Sequence, residues 1–164
     1  MAAYSIRRFS AGDMDAYRSM RLEALQEERG MFGNSYEQEA AFTDAQWLER
    51  LTNTTKACFG LYSGNELIGI TGITSDGYAP GLAYMTQSYI RKQYRGQGLS
   101  GLLYEARLQW AKEHNIKQLI IGHRKNNLAS KHANQRYGFV YTHSETRTWP
   151  DGVTEDMLYY QLDL

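Results

Sequence analysis

Nine residues, Gln93-Tyr94-Arg95-Gly96-Gln97-Gly98-Leu99-Ser100-Gly101, constrain this chain more than any other segment. They stand where the apolar period changes. Before them, Leu82 to Ile90 reads as a strand. After them, Leu99, Leu102, Leu103, Ala106 and Trp110 recur at helical spacing and predict a helix to about His114, with Asn115 as its stop. A glycine-rich turn between strand and helix exposes successive backbone N–H groups, and the helix start adds about half a positive charge. Together they make an anion site suited to a diphosphate. Gly96 and Gly98 let the backbone approach phosphates with no Cβ in the way. Arg91 and Arg95 are placed to add charge-assisted hydrogen bonds.

The rest of the chain alternates strands and helices. A strand is expected over Tyr4 to Phe9, then a helix from Asp13 to about Glu28 behind a Ser10/Asp13 capping box. Gly30 to Ser35 reads as a loop, and a Thr43/Gln46 box opens a short helix through Leu51. Cys58 to Tyr62 and Leu67 to Thr74 read as strands around a Ser63-Gly64-Asn65-Glu66 turn. Beyond the central helix come a strand over Lys117 to His123 and a helix from Asn127 to about Tyr137, ending at Gly138. Phe139 to Trp149 and Glu155 to Leu162 then form a hairpin around Pro150-Asp151-Gly152. The order is mixed α/β, with no repeat and no linker, and 164 residues suit one domain over 1–164.

Composition excludes several function classes. Lys+Arg and Asp+Glu are equal at 18 each, which argues against a general nucleic-acid binder. One cysteine, Cys58, permits neither an internal disulfide nor a multi-cysteine zinc site, and the histidines show no metal-ligand spacing, so no metal is expected. No apolar run reaches membrane-spanning length, and the start lacks a signal-peptide core. The expectation is a cytoplasmic protein with no membrane partner. Exposed strand edges are compatible with a homodimer.

Three ligands use loops of this type. Gly96-x-Gly98-x-x-Gly101 fits a dinucleotide pattern, but no tight turn follows the strand at once and no acidic residue ends the next strand, Ile121-Gly122-His123-Arg124. A P-loop would need Lys-Ser or Lys-Thr after the glycines. The third ligand is the 3′-phospho-ADP diphosphate of coenzyme A. Here Gln93-x-x-Gly96-x-Gly98 resembles the central signature of the GCN5-related N-acetyltransferase (GNAT) superfamily. Ile6-Arg7-Arg8-Phe9, the strand Leu67 to Ile73, Asn127-x-x-Ser130 with Tyr137-Gly138-Phe139, and Asp156-Met157-Leu158 resemble further family segments in the same order. The resemblance spans almost the whole chain.

That resemblance implies an α/β fold (α+β by some schemes) with a mixed central sheet, a splayed cofactor strand and flanking helices. It implies acetyl-CoA as cosubstrate and transfer of the acetyl group to a primary amine of a small molecule or peptide, by direct attack in a ternary complex. Tyr89, Ile90 and Arg91 would meet the pantetheine arm. The amides of Arg95, Gly96, Gln97, Gly98, Leu99 and Ser100 would hold the diphosphate, and Asn127 also falls among the cofactor-binding positions. The family's usual Tyr acid corresponds to Asn134 here, a departure, with Tyr137 one turn on as a substitute or as packing. The cofactor strand carries no carboxylate. Gln87 and Tyr84 are placed to order a water, and His123 is a candidate base. The Glu23-Glu27-Glu28 cluster reads as a solvated face, and Phe32, Tyr36, Phe42 and Trp47 as packing or an acceptor pocket. The alternative is a non-catalytic acyl-CoA-binding or sensing module on the same fold.

Overall fold

A computed structural model of the chain describes residues 3–164. Its strands are β1 (Tyr4–Arg8), β2 (Lys56–Ser63), β3 (Glu66–Ser75), β4 (Leu82–Ile90), β5 (Gln118–Arg124), β6 (Val140–Thr148) and β7 (Thr154–Asp163). Its helices are α1 (Met14–Glu27), α2 (Tyr36–Ala40), α3 (Asp44–Thr52), α4 (Ser100–Glu113) and α5 (Leu128–Arg136). The strands form one sheet in the order β1-β2-β3-β4-β5-β7-β6. All neighbours are antiparallel except β4 and β5, which α4 joins as a parallel crossover.

The two sheet faces are covered by different helices. Ala57, Phe59, Ile73, Ala83 and Met85 pack with Tyr104, Trp110 and Ala111 of α4. Cys58 and Ile70, of opposite parity on their strands, pack with Tyr17, Met20 and Ala24 of α1 and with Trp47 and Leu51 of α3. Burial from both sides explains the unbroken apolar run of β3, buried from Ile68 to Ile73. α1 buries Tyr17, Met20, Arg21, Ala24 and Leu25, a stripe at helical spacing. Among the described residues no helix is long and apolar enough to cross a membrane.

The expected elements stand within a few residues of their places, with two differences. A 3-10 turn over Ala11–Asp13 precedes α1, and the Asp13 carboxylate accepts the Ser10 N–H at 2.8 Å. Helix α2 was not expected. It begins at its own capping box, with Ser35 Oγ accepting from Gln38 N–H and Gln38 Oε1 accepting from Ser35 N–H. Five residues are too few to display a helical period, so only the box announces it.

Candidate active site

β4 and β5 part company halfway along. Their register runs from Leu82↔Gln118 to Met85↔Ile121 and stops there. β4 continues against β3 to Ile90, and β5 continues against β7 to Arg124. The second half of β4 therefore has an edge with no strand partner, the kind of edge an extended arm can join. A bulge marks the parting point: Gln87 and Ser88 stand opposite the single residue Thr71. Gln87 has φ +60, in the left-handed region that a non-glycine residue rarely adopts. Its side chain is held at both ends, Oε1 accepting from the Tyr17 hydroxyl at 2.5 Å and Nε2 donating to Cys58 Sγ at 3.9 Å. Gly72 makes room, since a Cβ there would reach 2.8 Å from Thr86 Oγ1.

The glycine-rich loop follows the free edge. Gly96 and Gly98 have φ +80 and +75, and a Cβ on either would meet nothing within 4 Å. Glycine is required there by conformation and leaves the surface open. Among the described residues no acceptor takes the N–H groups of Gly96, Gln97, Gly98, Leu99 or Ser100. Five successive unpaired amides at the start of a fourteen-residue helix form an anion cradle. Leu99 anchors the helix start among Leu61, Ile68 and Leu103, and Gln97 Oε1 accepts from the Tyr4 hydroxyl.

The arginines beside the cradle already have partners. Arg91 donates Nε and Nη2 to the two oxygens of Glu23 at 3.0 and 2.9 Å, and Nη1 to Glu66 at 3.2 Å; its N–H donates to Ile68. Arg95 donates Nε to the Ile90 carbonyl at 2.7 Å and Nη2 to Glu28 at 2.5 Å. Of the acidic cluster at the end of α1 only Glu27 is exposed to solvent; Glu23 and Glu28 lie against β4 and the loop. The Arg91 hydrogen bond, with help from Tyr89, holds the Glu23 carboxyl below the usual range despite its burial. Burial and then Glu23 push the Tyr89 hydroxyl up to about 12.

A cleft of about 1140 Å³ runs from the cradle past the parted strands to the loop after α1. It exceeds the ~300–1,000 Å³ of a pocket for one small ligand. Tyr89, Ile90, Arg95, Leu99, Ser100, Asn127 and His123 line it; Arg91, Gly96, Gln97, Gly98, Asn134 and Tyr137 do not. Asn127 caps α5, its Oδ1 accepting from Ser130 N–H at 3.2 Å. Asn134 is fully buried with both amide atoms unpaired. Tyr137 stacks on Tyr104 at 4.5 Å with its hydroxyl toward the Gly101 carbonyl at 3.4 Å. Tyr84 donates its hydroxyl to Asp76 at 2.7 Å, so neither it nor Gln87 has a side chain uncommitted.

Four buried polar atoms without partners belong to cleft residues: Arg21 Nη1, Thr86 Oγ1, Arg107 Nη1 and His123 Nε2. Such atoms are rare in folded proteins and mark places built for a further group. His123 Nδ1 lies 2.9 Å from the Arg124 carbonyl, which can only accept, so Nδ1 carries the proton and Nε2 the free lone pair. Burial pushes the imidazole pKa down, which keeps the ring neutral. Arg107 has no carboxylate partner, and burial brings its pKa down to about 10.

On the far wall of the cleft, sequence reading names Phe32 as packing or acceptor pocket, and Arg147 to Trp149 as a border, but not the charged cluster. There Arg21, Glu39 and Arg50 meet from three helices, with Phe32 beneath the Arg21 guanidinium at 4.8 Å. Burial alone would raise the Glu39 carboxyl, but Arg21 and then Arg50 outweigh it and hold its pKa at about 2. A carboxyl so acidic is a poor proton acceptor at neutral pH. Arg124 closes this end, binding the Gly30 carbonyl, Asp151 and Glu155 at 2.9, 2.6 and 2.8 Å. Trp149 lines it and Arg147 reaches the Gly33 carbonyl.

An interrupted strand pair beside an amide cradle, in one mixed sheet flanked by helices, defines an α/β protein with an anion site next to a free strand edge. The family model of the acetyltransferase (GNAT) family matches residues 21–139, and the chain belongs to that family. No curated protein sequence matches it. Among solved structures it is similar to a GNAT-family acetyltransferase from Streptococcus pneumoniae, at 19% identity and TM-score 0.81 over 99% of this chain and 100% of that one. It is similar to RimL, a ribosomal L7/L12 alpha-N-protein acetyltransferase in complex with coenzyme A, at 14% identity and TM-score 0.80 over 100% and 96%. It is also similar to yncA from Salmonella typhimurium with its cofactor acetyl-CoA, at 16% identity and TM-score 0.80 over 99% and 95%.

Proposed function

We propose that this GNAT-family chain is an acetyl-CoA-dependent N-acetyltransferase whose acceptor is a primary amine of a small molecule or peptide. The observation that carries it is the free edge of β4 leading, across a 3-10 turn at Lys92–Tyr94, to five unpaired amides. The two solved relatives described with coenzyme A or acetyl-CoA support the same donor. When bound, acetyl-CoA supplies an acetyl group activated as a thioester.

The chain's own residues then divide the work. The amides of Gly96 to Ser100, with Arg95 beside them, hold the diphosphate. The edge from Thr86 through Tyr89 and Ile90 to Arg91 holds the arm, and an amide at the bulge of β4 polarises the carbonyl. Asn127 sets the start of α5 on the opposite lip. The acceptor amine attacks directly, with both substrates bound at once, and His123 Nε2 receives its proton. A thiol with pKa about 8.5 leaves readily as thiolate near neutral pH. Asn134, within α5, and Tyr137, at its end, therefore act by packing and shaping rather than by giving up a proton.

Titration with acetyl-CoA by calorimetry tests the donor site. The wild type should bind, and Gly98→Trp, checked for a native melt, should not. Absence of binding to the wild type would refute the proposal. Asn134 in place of the family's Tyr favours a second reading, an acyl-CoA-binding module without turnover. Release of free thiol with any amine of a broad panel excludes that reading.

A further inference from the structure

The amide cradle and the open strand edge need nothing from the far wall of the cleft, yet that wall is built with care. Glu39 is fully buried, and the side chains of Arg21 and Arg50 are 6% and 17% exposed. Arg21 donates Nε and Nη2 to the two Glu39 oxygens, both at 2.9 Å. Arg50 donates Nη1 to Glu39 at 2.8 Å and to the Tyr17 hydroxyl at 3.2 Å. Asn34 adds an amide donor to the same carboxylate at 3.0 Å. One carboxylate thus faces two guanidiniums, and the cluster keeps one positive charge with no partner. A buried charge without a partner is strongly unfavourable, so it calls for a counter-ion.

No other carboxylate on this wall supplies one. Glu28 is held by Arg95, Asp151 and Glu155 are held by Arg124, and Lys56 is paired with Glu49. Donors remain free as well. Arg21 Nη1 is buried with no partner. Both Arg50 bonds leave from Nη1, so its Nε and Nη2 donate to nothing among the described residues. Arg50 lies over Phe42 and Trp47, at 5.0 and 5.3 Å, which fixes the plane of its fork. The cluster also stands close to the chemistry. Arg50 bonds Tyr17, and Tyr17 bonds Gln87 at the bulge where β4 and β5 part.

We infer that Arg50, backed by Arg21, is an anion subsite for the acceptor, and that the acceptor is a small amine bearing a carboxylate, such as a free amino acid. This rests on the N-acetyltransferase reading above. A guanidinium fork matches a carboxylate with two parallel hydrogen bonds. The α-amide of a peptide offers no charge to the cluster, and the second ammonium of a polyamine would meet a like charge. The same positive charge favours the neutral form of a nearby amine, which is the form that attacks.

The test compares kcat/KM, at saturating acetyl-CoA, for the free amino acids, their amides and their decarboxylated amines. The best amino acid should exceed its amide by about 10- to 100-fold, the range of a charged hydrogen-bond pair. Arg50→Gln should collapse that ratio through KM rather than kcat, with its acetyl-CoA affinity and melt showing a folded protein. Arg50 is the right position because Glu39 keeps Arg21 when it is changed. Arg50→Lys, which keeps the charge and loses the fork, should give an intermediate ratio and serves if Arg50→Gln does not fold. Amides or polyamines turned over as well as the acids would overturn the subsite, as would an unchanged ratio in both variants. If acetyl-CoA binds but no amine is acetylated, the enzymatic reading fails separately. Calorimetry of the same amino acids on the coenzyme A complex then decides: binding lost in Arg50→Gln supports the subsite, and no binding to the wild type overturns it.

Discussion

His123 meets two requirements of a base that seldom coincide in one buried side chain. The Arg124 carbonyl fixes the proton on Nδ1, and Nε2 is left with an unshared pair in a cleft residue. Burial lowers its pKa below the ordinary 6.5. The sign follows directly. The ring is neutral and competent at neutral pH, and it is protonated and inactive below its lowered pKa. The acid limb of kcat/KM should therefore fall below pH 6.5 with a slope of one proton. His123→Gln should lower kcat by about 10²- to 10⁴-fold, as loss of a general base does, and remove that limb. A variant that keeps both rate and limb would assign the proton to another acceptor. The sequence shows this histidine at a strand end, but its tautomer depends on a carbonyl direction that only the fold supplies.

At the scale of elements, the acidic end of α1 is fastened to the glycine-rich loop. Glu28 holds Arg95 at 2.5 Å, and Arg95 in turn holds the last carbonyl of β4. A phosphate arriving at the cradle must compete with Glu28 for this guanidinium. Glu28→Gln should therefore tighten acetyl-CoA binding by about two- to fivefold, the worth of a partly exposed ion pair. Calorimetry at two salt concentrations checks it, and unchanged affinity would mean that Arg95 does not meet the phosphates. The glycine loop and α4 are legible in the sequence because each rests on a local signal, glycines and a helical period, and β4 reads as the strand that leads into them. Helix α2 was too short to carry one. The bulge at Gln87 was hidden because its φ +60 falls on a residue with no glycine signature. The acidic run at Glu23 and Glu28 looked like a solvated face because its partners Arg91 and Arg95 lie 68 and 67 residues away.

The Arg21–Glu39–Arg50 cluster acts on the whole molecule, because it ties α1, α2 and α3 into one cover over a sheet face. No local pattern reports it, since its bonds span 18 and 11 residues between separate helices. Its pH dependence has a definite sign. The folded Glu39 pKa, about 2, lies below its ordinary 4.5. The carboxylate therefore stabilises the fold above pH 4.5, and the contribution is lost as pH falls toward 2. The shift is worth roughly 3 kcal/mol by proton linkage. Glu39→Gln leaves two buried guanidiniums without a carboxylate, and should cost about 3–5 kcal/mol at neutral pH. Urea midpoints from pH 7 to pH 3 distinguish the two proteins. The wild type should lose stability steeply through this window, while Glu39→Gln starts lower and declines less, so the curves converge in acid. Parallel curves would show that the acid sensitivity lies elsewhere, and that the helical cover does not depend on this one carboxylate.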